Sequence, residues 1–357
     1  MNIGLLGLPQ AGKKTLFGLL TGEPVSVEPF TGSQGLIYGK ALIRDERFDR
    51  LVEIYQPQKS TPASLDIVLL PGVTRESLLS GECLKAIEKC DALCLVVRGF
   101  QDETVFHVDG SVDVLRDIDK VLTELILSDL LLVEKRLERL DKEVRIKAEP
   151  RQIKEQAILQ RMKAFLDDNQ PLSTFPLDND EVKIMATYQF LTRRPLIIVL
   201  NVGDDDMKED KLLEQVRLKT APFKIDVIQT SAKIEAEISS LSPEERQAFY
   251  NDLNISDPAL NALSRHCFDA LGLISFFTCG PKEVRHWNVS RNASAPQAAG
   301  VIHSDMERGF IRAEIIKFDE LMEYGSEAAV KAAGKMYLKG KDYVLQDGDI
   351  MFVRFNV

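Results

Sequence analysis

The feature that most constrains the fold lies at the amino terminus, where the apolar run Met1 to Leu6 leads directly into GLPQAGKKT, Gly7 to Thr15. A short continuous apolar run that ends at a glycine predicts a buried strand, and the residues from Lys13 onward predict a helix. Gly7, Gly12 and Lys13 follow the pattern G-x-x-x-x-G-K-[ST], in which backbone N–H groups surround phosphates. The sequence therefore predicts a phosphate-binding loop between a strand and a helix.

The loop departs from this pattern at one position. The hydroxyl residue of the pattern binds Mg²⁺, and the corresponding residue here is Lys14. Thr15 cannot simply replace it, because one residue along a helix turns the side chain by about 100°. The sequence leaves open whether a nucleotide that binds here is also hydrolysed.

Further apolar runs predict a sheet around this first strand. They have the length of strands, do not alternate with polar residues and are separated by helical patterns, which is typical of parallel strands covered on both faces. We predict these strands at Ser64 to Leu70, Ala92 to Val97, Leu196 to Asn201 and Phe223 to Ile228.

A long insertion separates the third and fourth of these strands. Its apolar residues have the alternating four-and-three spacing of a coiled-coil seam, at Ile126, Leu130, Val133, Leu137, Leu140 and Val144. Pro150 suits the first turn of a second helix, whose apolar stripe comprises Ile158, Met162 and Phe165. We predict an antiparallel helical hairpin from residue 122 to about 170.

The residue pattern of the sequence changes again after about residue 275. Short β-like pieces punctuated by glycine predict a separate α+β domain. The QDGD turn, which stands between two apolar segments, predicts a β-hairpin.

Composition disfavours several classes of protein. The net charge of −10 opposes general affinity for nucleic acid, although a local basic face is compatible with it. No apolar run approaches the about 20 residues that span a bilayer, so we expect no membrane segment and a cytoplasmic location. The five cysteines lack C-x-x-C spacing and the four histidines are scattered. We therefore expect reduced, packed thiols, structural histidines and no metal site built from them.

Taken together, these parts resemble the Obg-like ATPase (YchF) family of the translation-factor class of P-loop proteins, over essentially the whole chain. The resemblance is most specific in FFTCGPKEVRHW, APQAAGVIHSDMERGFIRAEI and GKDYVLQDGDIMFVRFNV, and in VDVLRDIDKVLTELILSDL ahead of the hairpin. It implies an α/β P-loop G domain with a mostly parallel sheet at residues 1–121 and 184–274. It also implies a helical coiled-coil insertion at 122–183 and a C-terminal α+β TGS domain of β-grasp shape at 275–357.

The family's phosphate-side residues carry over to the first loop. The resemblance implies that backbone amides and the lysine side chain surround the β-phosphate, and that Thr15 is the second hydroxyl, near the α-phosphate. Lys14 replaces the magnesium-binding serine. The residues that would surround the β-phosphate are Pro9, Gln10, Ala11, Gly12 and Lys13.

The residues that contact magnesium in the family are only partly matched in this sequence. Matching DIVLLPGVTRESLLSGE to the family puts Gly72 on the glycine of its D-x-x-G motif and Leu69 on the aspartate, with Asp66 as an alternative displaced by three residues. Because two metal-side groups are missing, we expect Mg²⁺ binding to be doubtful. The first switch leaves Thr31 or Ser33 as the candidate hydroxyl. No residue is assigned a catalytic role.

Base recognition rests on NVGD, from Asn201 to Asp204. Guanine-specific relatives carry N-K-x-D, whereas the Obg-like ATPases carry N-V-x-E and favour adenine. Val202 agrees with the ATPase pattern, while Asp204 restores the guanine-type carboxylate. The resemblance therefore favours ATP over GTP. The loop expected to close over the base comprises Ser231, Ala232 and Lys233.

In this family the helical arm and the TGS domain are associated with ribosome binding, so the resemblance implies a ribosome or rRNA contact. The last domain also concentrates cationic and aromatic residues, although Asp305, Glu307 and Asp342 make ordinary surface pairing an equal alternative. These cationic and aromatic residues are Arg285, His286, Trp287, Arg291, Arg308, Arg312, Lys339 and Lys341.

The leading hypothesis is a nucleotide-binding, translation-associated P-loop protein whose hydrolysis is slow or impaired. One alternative is a nucleotide sensor without hydrolysis, which Lys14 and Leu69 favour. Another is a structural ribosome-associated adaptor with an empty pocket. Partner, turnover rate and oligomeric state do not follow from the sequence.

Overall fold

The structure, a computed structural model, describes residues 1–22, 35–73, 81–147, 149–208, 210–252 and 259–356. The chain divides into two compact units. The first comprises Met1–Ala41 and Asp66–His266, and the second comprises Leu42–Leu65 and Cys267–Val357.

The first unit is built on a six-stranded sheet in the order β2-β4-β1-β5-β6-β7. Its central strand β1 pairs in parallel with β4 and β5, and β5, β6 and β7 continue the sheet in parallel. Because all the phosphate-side and base-side loops follow these parallel strands, they meet at one edge of the sheet. The strands are β1 (Asn2–Leu6), β2 (Ile37–Leu42), β4 (Ser64–Leu69), β5 (Ala92–Arg98), β6 (Leu196–Asn201) and β7 (Asp226–Thr230).

The predicted strands are present, with one shift. β5 is buried along its whole length, as expected for a parallel strand covered on both faces. The last strand is displaced from Phe223–Ile228, because Ala221–Phe223 forms a 3₁₀ turn that contains Pro222. The next residue, Lys224, has a φ of 55°, a left-handed conformation unlike that of a strand, so the ladder begins only at Asp226.

The helices of the first unit pack on this sheet and form the inserted arm. One large apolar cluster joins the sheet to the helices that follow β4, β5 and β6. The helices of this unit are α1 (Lys13–Thr21), α3 (Gly81–Glu88), α4 (Val114–Ile146), α5 (Pro150–Asp167), α6 (Asn179–Met185), α7 (Lys211–Thr220), α8 (Ala232–Ser239), α9 (Pro243–Asp252) and α10 (Ala259–Ala270), the last of which extends into the second unit.

Helices α4 and α5 form the predicted antiparallel hairpin. Polar contacts between them run in opposite directions along the two helices: Lys163 reaches Glu134 at 2.6 Å, and Gln152 reaches Glu143 at 3.0 Å. The predicted seam is the hairpin core, because Val133, Leu140 and Met162 are fully buried in one cluster. Helix α4 begins at Val114, eight residues before the predicted start of the hairpin.

The second unit contains another six-stranded sheet, in the order β11-β10-β12-β8-β9-β3. Apolar clusters cover it from two sides. Its strands are β3 (Lys59–Thr61), β8 (Leu273–Thr278), β9 (Glu283–Ser290), β10 (Phe310–Lys317), β11 (Tyr337–Lys339) and β12 (Asp349–Phe355). Its helices are α2 (Glu46–Tyr55), α11 (Ala295–Ile302), α12 (Ser304–Arg308), α13 (Phe318–Tyr324) and α14 (Glu327–Ala332).

The segment Leu42–Leu65, which the sequence analysis assigned to the first domain, is part of this second unit. Strand β3 pairs with β9 in parallel, and Phe48 and Leu51 of α2 enter an apolar cluster with residues from the carboxyl-terminal part of the chain. Arg47 donates to Asp45 at 2.8 Å and to Asp347 at 2.6 Å. The sheet of this unit is therefore completed by a segment far away in sequence.

The hairpin predicted around QDGD is wrong, although the turn exists. Gly348 has a φ of 83°, a left-handed conformation that glycine adopts without strain. The strand after the turn, β12, pairs with β10 and β8 instead of with the segment that precedes the turn. A short-range turn signal thus did not determine the partner strand.

Among the described residues, every helix is either too short or too polar to cross a bilayer.

Candidate functional site

The loop between β1 and α1 has the backbone of a phosphate cradle. Gly12 has a φ of 93° and Gln10 a φ of 59°, so both residues lie in the left-handed region. A Cβ atom on Gly12 would overlap the side-chain amide of Asn201. Only glycine suits this position, because both the backbone angle and the close approach exclude a side chain.

Helix α1 begins at Lys13, directly after this turn, and Gly12 offers no side chain to cap it. The first turn of any α-helix has N–H groups without intrahelical partners, and the helix dipole favours an anion there. The loop therefore ends in helix N–H groups without intrahelical partners, of the kind that bind a phosphate elsewhere.

The Lys13 side chain lies across the loop. Its Nζ donates to the carbonyl oxygens of Gly7 at 2.8 Å and Leu8 at 2.7 Å. Burial lowers the pKa of Lys13 to about 7, because no carboxylate among the described residues compensates the buried ammonium. A bound phosphate would supply the missing negative charge.

Asn201, at the end of β6, joins two of the predicted loops. Its Nδ2 donates to the carbonyl oxygen of Ala11 at 3.0 Å, and its Oδ1 accepts from the N–H of Ala232 at 3.0 Å. Asn201 is buried, so each of these bonds satisfies a group that water cannot reach. One side chain thus holds the phosphate-side loop and the base-side loop together.

The base-side residues also contact one another. Asp204 accepts hydrogen bonds from Ser231 at 3.0 Å and from Lys233 at 3.1 Å. The Asp204 carboxylate raises the pKa of Lys233. Val202 is buried in the core of the sheet and contributes packing. In the predicted motif, Val202 is therefore a packing residue, whereas Asn201 binds backbone groups and Asp204 binds side chains.

Gly72 lies against the first loop, as the match to D-x-x-G requires. A Cβ atom on Gly72 would lie 2.7 Å from Cγ of Pro9. The N–H of the next residue, Val73, donates to the carbonyl oxygen of Gly7 at 2.9 Å. The segment after β4 therefore reaches the phosphate loop, and glycine is needed for this approach.

The candidate metal-side positions lack suitable oxygens. Leu69 is fully buried at the end of β4, and Asp66 is the third residue of this strand, opposite Asn2. Three residues of strand separate Asp66 from Leu69 by about 10 Å. Asp66 instead lies 3.8 Å from the terminal amino group and 3.9 Å from Lys40. These residues do not fit a magnesium site of the family type, and the candidates Thr31 and Ser33 lie outside the described residues.

A different cluster has the spacing of a metal site. His107, Asp109 and Asp117 bring ligand atoms within 4.8 Å of one another. However, Nδ1 of His107 accepts from the N–H of Asp109, so Nε2 carries the proton and donates to Asp117 at 2.9 Å. Arg116 and Lys120 neutralise the two carboxylates. Internal partners thus occupy the groups that a metal would need.

Sequence reasoning missed Arg98, which ends β5 beside the base-side loop. Its guanidinium donates to the carbonyl oxygens of Phe100 at 3.2 Å and Val105 at 3.0 Å, and lies over the Phe100 ring. The adjacent Gly99 N–H donates to the Asn201 carbonyl at 2.7 Å. Arg98 therefore shapes the loop next to Asn201, and its only sequence signal is a charge that ends an apolar strand.

The cations predicted to contact a partner have several roles in the second unit. His286 is buried and hydrogen-bonds Ser275, so it is not available on the surface. Arg308 pairs with Asp305, in agreement with the alternative of ordinary surface pairing. Arg285 stacks over Trp287 with 3.8 Å between the guanidinium carbon and the ring centroid, and Lys339 lies over Tyr343.

Comparison with known proteins identifies the family. The chain is 38% identical over 367 residues to the ribosome-binding ATPase YchF of Haemophilus influenzae, with 99% of each chain covered. It is 36% identical to Obg-like ATPase 1 of Pongo abelii, covering all of this chain and 92% of that relative. The chain belongs to the YchF (Obg-like ATPase) family.

The structure agrees with this membership of the YchF family. The YchF GTPase of Schizosaccharomyces pombe superposes with a TM-score of 0.87 at 33% identity, covering 99% of this chain and 97% of that one. A family model of the YchF GTPase carboxyl terminus, described as a protein of unknown function (DUF933), matches residues 273–356. The mixed α/β fold with a long helical hairpin is thus the YchF fold.

Proposed function

We propose that this YchF-family chain binds a purine nucleoside triphosphate between the loop after β1 and the loops after β6 and β7. The observation that carries the proposal is that Asn201 donates a hydrogen bond to the Ala11 carbonyl and accepts one from the Ala232 N–H, which brings these loops together. The N-terminus of α1, which has no side-chain cap, and the buried Lys13 then suit the phosphates, and the family relatives are named as ATPases.

ATP is the proposed nucleotide, with GTP as the alternative. The Val202 side chain is buried in the core, in place of the lysine of guanine-specific motifs. Asp204, the residue that would accept from guanine, already binds Ser231 and Lys233. A guanine would have to share these oxygens, which supports the preference for adenine.

Slow or impaired hydrolysis is the proposed enzymatic behaviour. Lys14 and Leu69 occupy the two positions from which the family contacts magnesium and its shell, and neither offers an oxygen. A bound magnesium ion would neutralise the negative charge that develops on the phosphate oxygens during hydrolysis. Lys13 supplies positive charge from this chain's own residues. A nucleotide sensor without hydrolysis is the second candidate, favoured by the same two substitutions.

Ribosome association is the second part of the proposal, because the relatives are named as ribosome-binding ATPases. We propose that the arm at residues 122–183 and the TGS-like domain at 275–357 carry this contact, while residues 1–121 and 184–274 carry the nucleotide. The charged outer surface of the hairpin suits a partner reached by an extended arm.

A nucleotide titration tests the first part. The purified chain is titrated with fluorescently labelled ATP and GTP, with Mg²⁺ and with EDTA, and compared with Gly12→Val, which fills the space beside Asn201. We expect saturable ATP binding to the unmodified chain and none to the variant. Absence of ATP and GTP binding to the unmodified chain would reject the proposal.

Co-sedimentation with ribosomes tests the second part. Residues 135–162 are replaced by a short glycine-serine linker that joins Glu134 to Lys163, whose side chains are 2.6 Å apart. This truncation retains the part of α4 that packs on the sheet. We expect unchanged labelled-ATP binding and loss of co-sedimentation. A truncated chain that still sediments with ribosomes would rule out the arm as the contact.

A further inference from the structure

Helix α4 changes its packing partner part-way along its length. Its first turns enter the core of the sheet through residues up to Leu125, whereas Ile126, Val133 and Leu140 enter the core of the hairpin. Asp129 lies at this change, in the middle of the helix, and is 1% exposed. A carboxylate is thus buried where the arm leaves the first unit.

Three donors converge on the Asp129 carboxylate. The backbone N–H of Leu191 donates at 2.7 Å, the N–H of Thr192 at 2.8 Å and the hydroxyl of Thr192 at 2.6 Å. Thr192 Oγ1 also accepts from the N–H of Leu172 at 3.0 Å. The network therefore ties α4 to the two segments that return from the arm to the sheet.

Thr192 stands four residues before β6, the strand that ends at Asn201. Asn201 in turn binds Ala11 and Ala232 of the candidate site. Strand β6 thus connects the Asp129–Thr192 contact, which holds the arm, to the Asn201 contacts, which hold the two loops. A rigid strand transmits displacement along its length better than a flexible linker does.

We propose that Asp129 is a positioning residue that sets the direction in which the hairpin leaves the first unit and couples this direction, through β6, to the loops around Asn201. The coupling rests on the proposed nucleotide-binding function, whereas the positioning does not. Within the described residues, Asp129 touches none of the loops at the candidate site.

The presence of a carboxylate at position 129, where an aliphatic residue would avoid the cost of burial, supports a positioning role. Burial of a carboxylate costs free energy. Burial raises the pKa of Asp129 to about 6, although its hydrogen bonds and the charge of Arg194 act to lower this pKa. An aliphatic residue would avoid this cost but would leave the N–H groups of Leu191 and Thr192 without an acceptor. A buried polar group with a full set of partners selects one arrangement of the backbone.

Distance measurements between two spin labels test the positioning. The five native cysteines are buried, so labels attach to Lys142→Cys on the arm and Leu218→Cys, whose side chain is 77% exposed, on α7. Two variants weaken the network: Asp129→Asn reduces the acceptor capacity of the side chain, and Thr192→Val removes the hydroxyl. Two variants are controls: Thr192→Ser keeps the hydroxyl, and Leu140→Ala weakens the hairpin core away from Asp129.

We expect Asp129→Asn and Thr192→Val to broaden the distance distribution by about twofold, with Thr192→Ser close to the unmodified chain. Leu140→Ala should lower the melting temperature and leave the distribution narrow. If both network variants superpose on the unmodified chain, or if Leu140→Ala broadens the distribution equally, Asp129 does not position the arm.

The coupling is tested by adding ATP to the same labelled proteins. We expect ATP to shift the distance in the unmodified chain and in Thr192→Ser but not in Asp129→Asn, while labelled-ATP affinity of all three differs by less than about threefold. A chain that binds ATP without any shift overturns the coupling. A chain that binds no ATP overturns the proposed function and the coupling together, and the distances without nucleotide still decide the positioning.

Discussion

The side-chain amide of Asn201 donates a hydrogen bond to the carbonyl oxygen of Ala11 at 3.0 Å, across 190 residues of sequence. Through its own oxygen the same side chain binds the N–H of Ala232. A residue that the family pattern assigns to base recognition thus also determines where the phosphate loop lies. This double role makes Asn201 the most informative position for mutation.

We expect Asn201→Ala to lower both the free energy of unfolding, by about 1–3 kcal/mol, and the affinity for labelled ATP, by about tenfold or more. The buried Ala11 carbonyl and Ala232 N–H then lack partners. Asn201→Asp keeps the acceptor for Ala232 and loses the donor to Ala11, so it separates the two contacts. Urea unfolding and fluorescence titration measure the effects, and unchanged ATP affinity in Asn201→Ala would contradict the assignment.

Nucleotide binding should take up protons near neutral pH. Burial holds the pKa of Lys13 at about 7, and phosphate charge would raise it on binding. Affinity should therefore fall as the pH rises from 7 to 9. Calorimetry at pH 7.5 in buffers of different ionisation enthalpy measures the uptake, and Lys13→Arg, which stays protonated, should show none. Equal binding enthalpy of the unmodified chain in all buffers would refute the linkage.

The lowered pKa of Lys13 also affects the free energy of unfolding of the protein without nucleotide. The folded pKa of Lys13 lies below its ordinary value, so the unfolded chain binds more protons between about pH 7 and pH 10. The contribution of Lys13 to the free energy of unfolding should therefore rise with pH across this window. Comparison with Lys13→Met by urea unfolding isolates this contribution. A difference between the two proteins that does not change with pH would exclude it.

ATP should bind more tightly than GTP, because Val202 replaces the lysine of guanine-specific motifs and Asp204 is already hydrogen-bonded. Asp204→Glu should increase this preference, and Asp204→Asn should weaken GTP binding more than ATP binding. Competition against labelled ATP measures both. Tighter binding of GTP by about tenfold or more in the unmodified chain would reverse the assignment.

Addition of EDTA should change nucleotide affinity by less than about threefold, and Lys14→Ser should introduce metal dependence by restoring one oxygen ligand. The structure argues against Leu69→Asp as a companion change. Leu69 is fully buried, so a carboxylate there should destabilise the fold by several kcal/mol, about 3–5 for an uncompensated buried charge. Robust magnesium-stimulated hydrolysis by the unmodified chain would show that the metal ligands come from residues other than Lys14, Asp66 and Leu69.

Asp129 should make the stability of the protein depend on pH in a defined direction. Its folded pKa of about 6 exceeds the unfolded value of about 3.9, so the folded state binds more protons between these values. Relative to Asp129→Asn, the unmodified chain should lose stability as the pH rises from about 4 to 6 and then remain level. Arg194 is the charged group that acts on Asp129.

Asp109→Asn is the matched control for this measurement. Lys120 lowers the pKa of Asp109, so its contribution is lost as the pH falls, the opposite sign to Asp129. Urea unfolding between pH 3.5 and pH 7.5 compares the three proteins. A constant difference between the unmodified chain and Asp129→Asn would exclude titration of this carboxyl group.

Much of the first unit was predictable because its signals are local. The strand before Gly7, the left-handed Gly12 and the helix from Lys13 follow from residues next to one another. The seam of the hairpin was equally clear, because the heptad spacing of Val133 and Leu140 leaves few ways to bury them. Family resemblance then identified the candidate site residues, among which the structure shows direct contacts.

Pairings between distant segments were not predictable. Strand β3 joins β9 more than 200 residues later, and the strand after QDGD takes β10 and β8 as neighbours. A turn motif specifies the local direction of the chain but not the partner of the next strand. The three donors that meet Asp129 likewise come from residues more than 60 positions away.

The sequence alone determined most strands of the first sheet, the hairpin helices, the loop that suits a phosphate and the family to which the chain belongs, since these depend on spacing and on local backbone preference. Only the tertiary structure decided that Leu42–Leu65 belongs to the second unit, that Leu69 is core and Asp66 lies far along the strand, and that Asn201 binds two loops. The physical reason is that burial and hydrogen-bond partners are properties of the folded arrangement, in which residues far apart in sequence compete for the same space and the same donors.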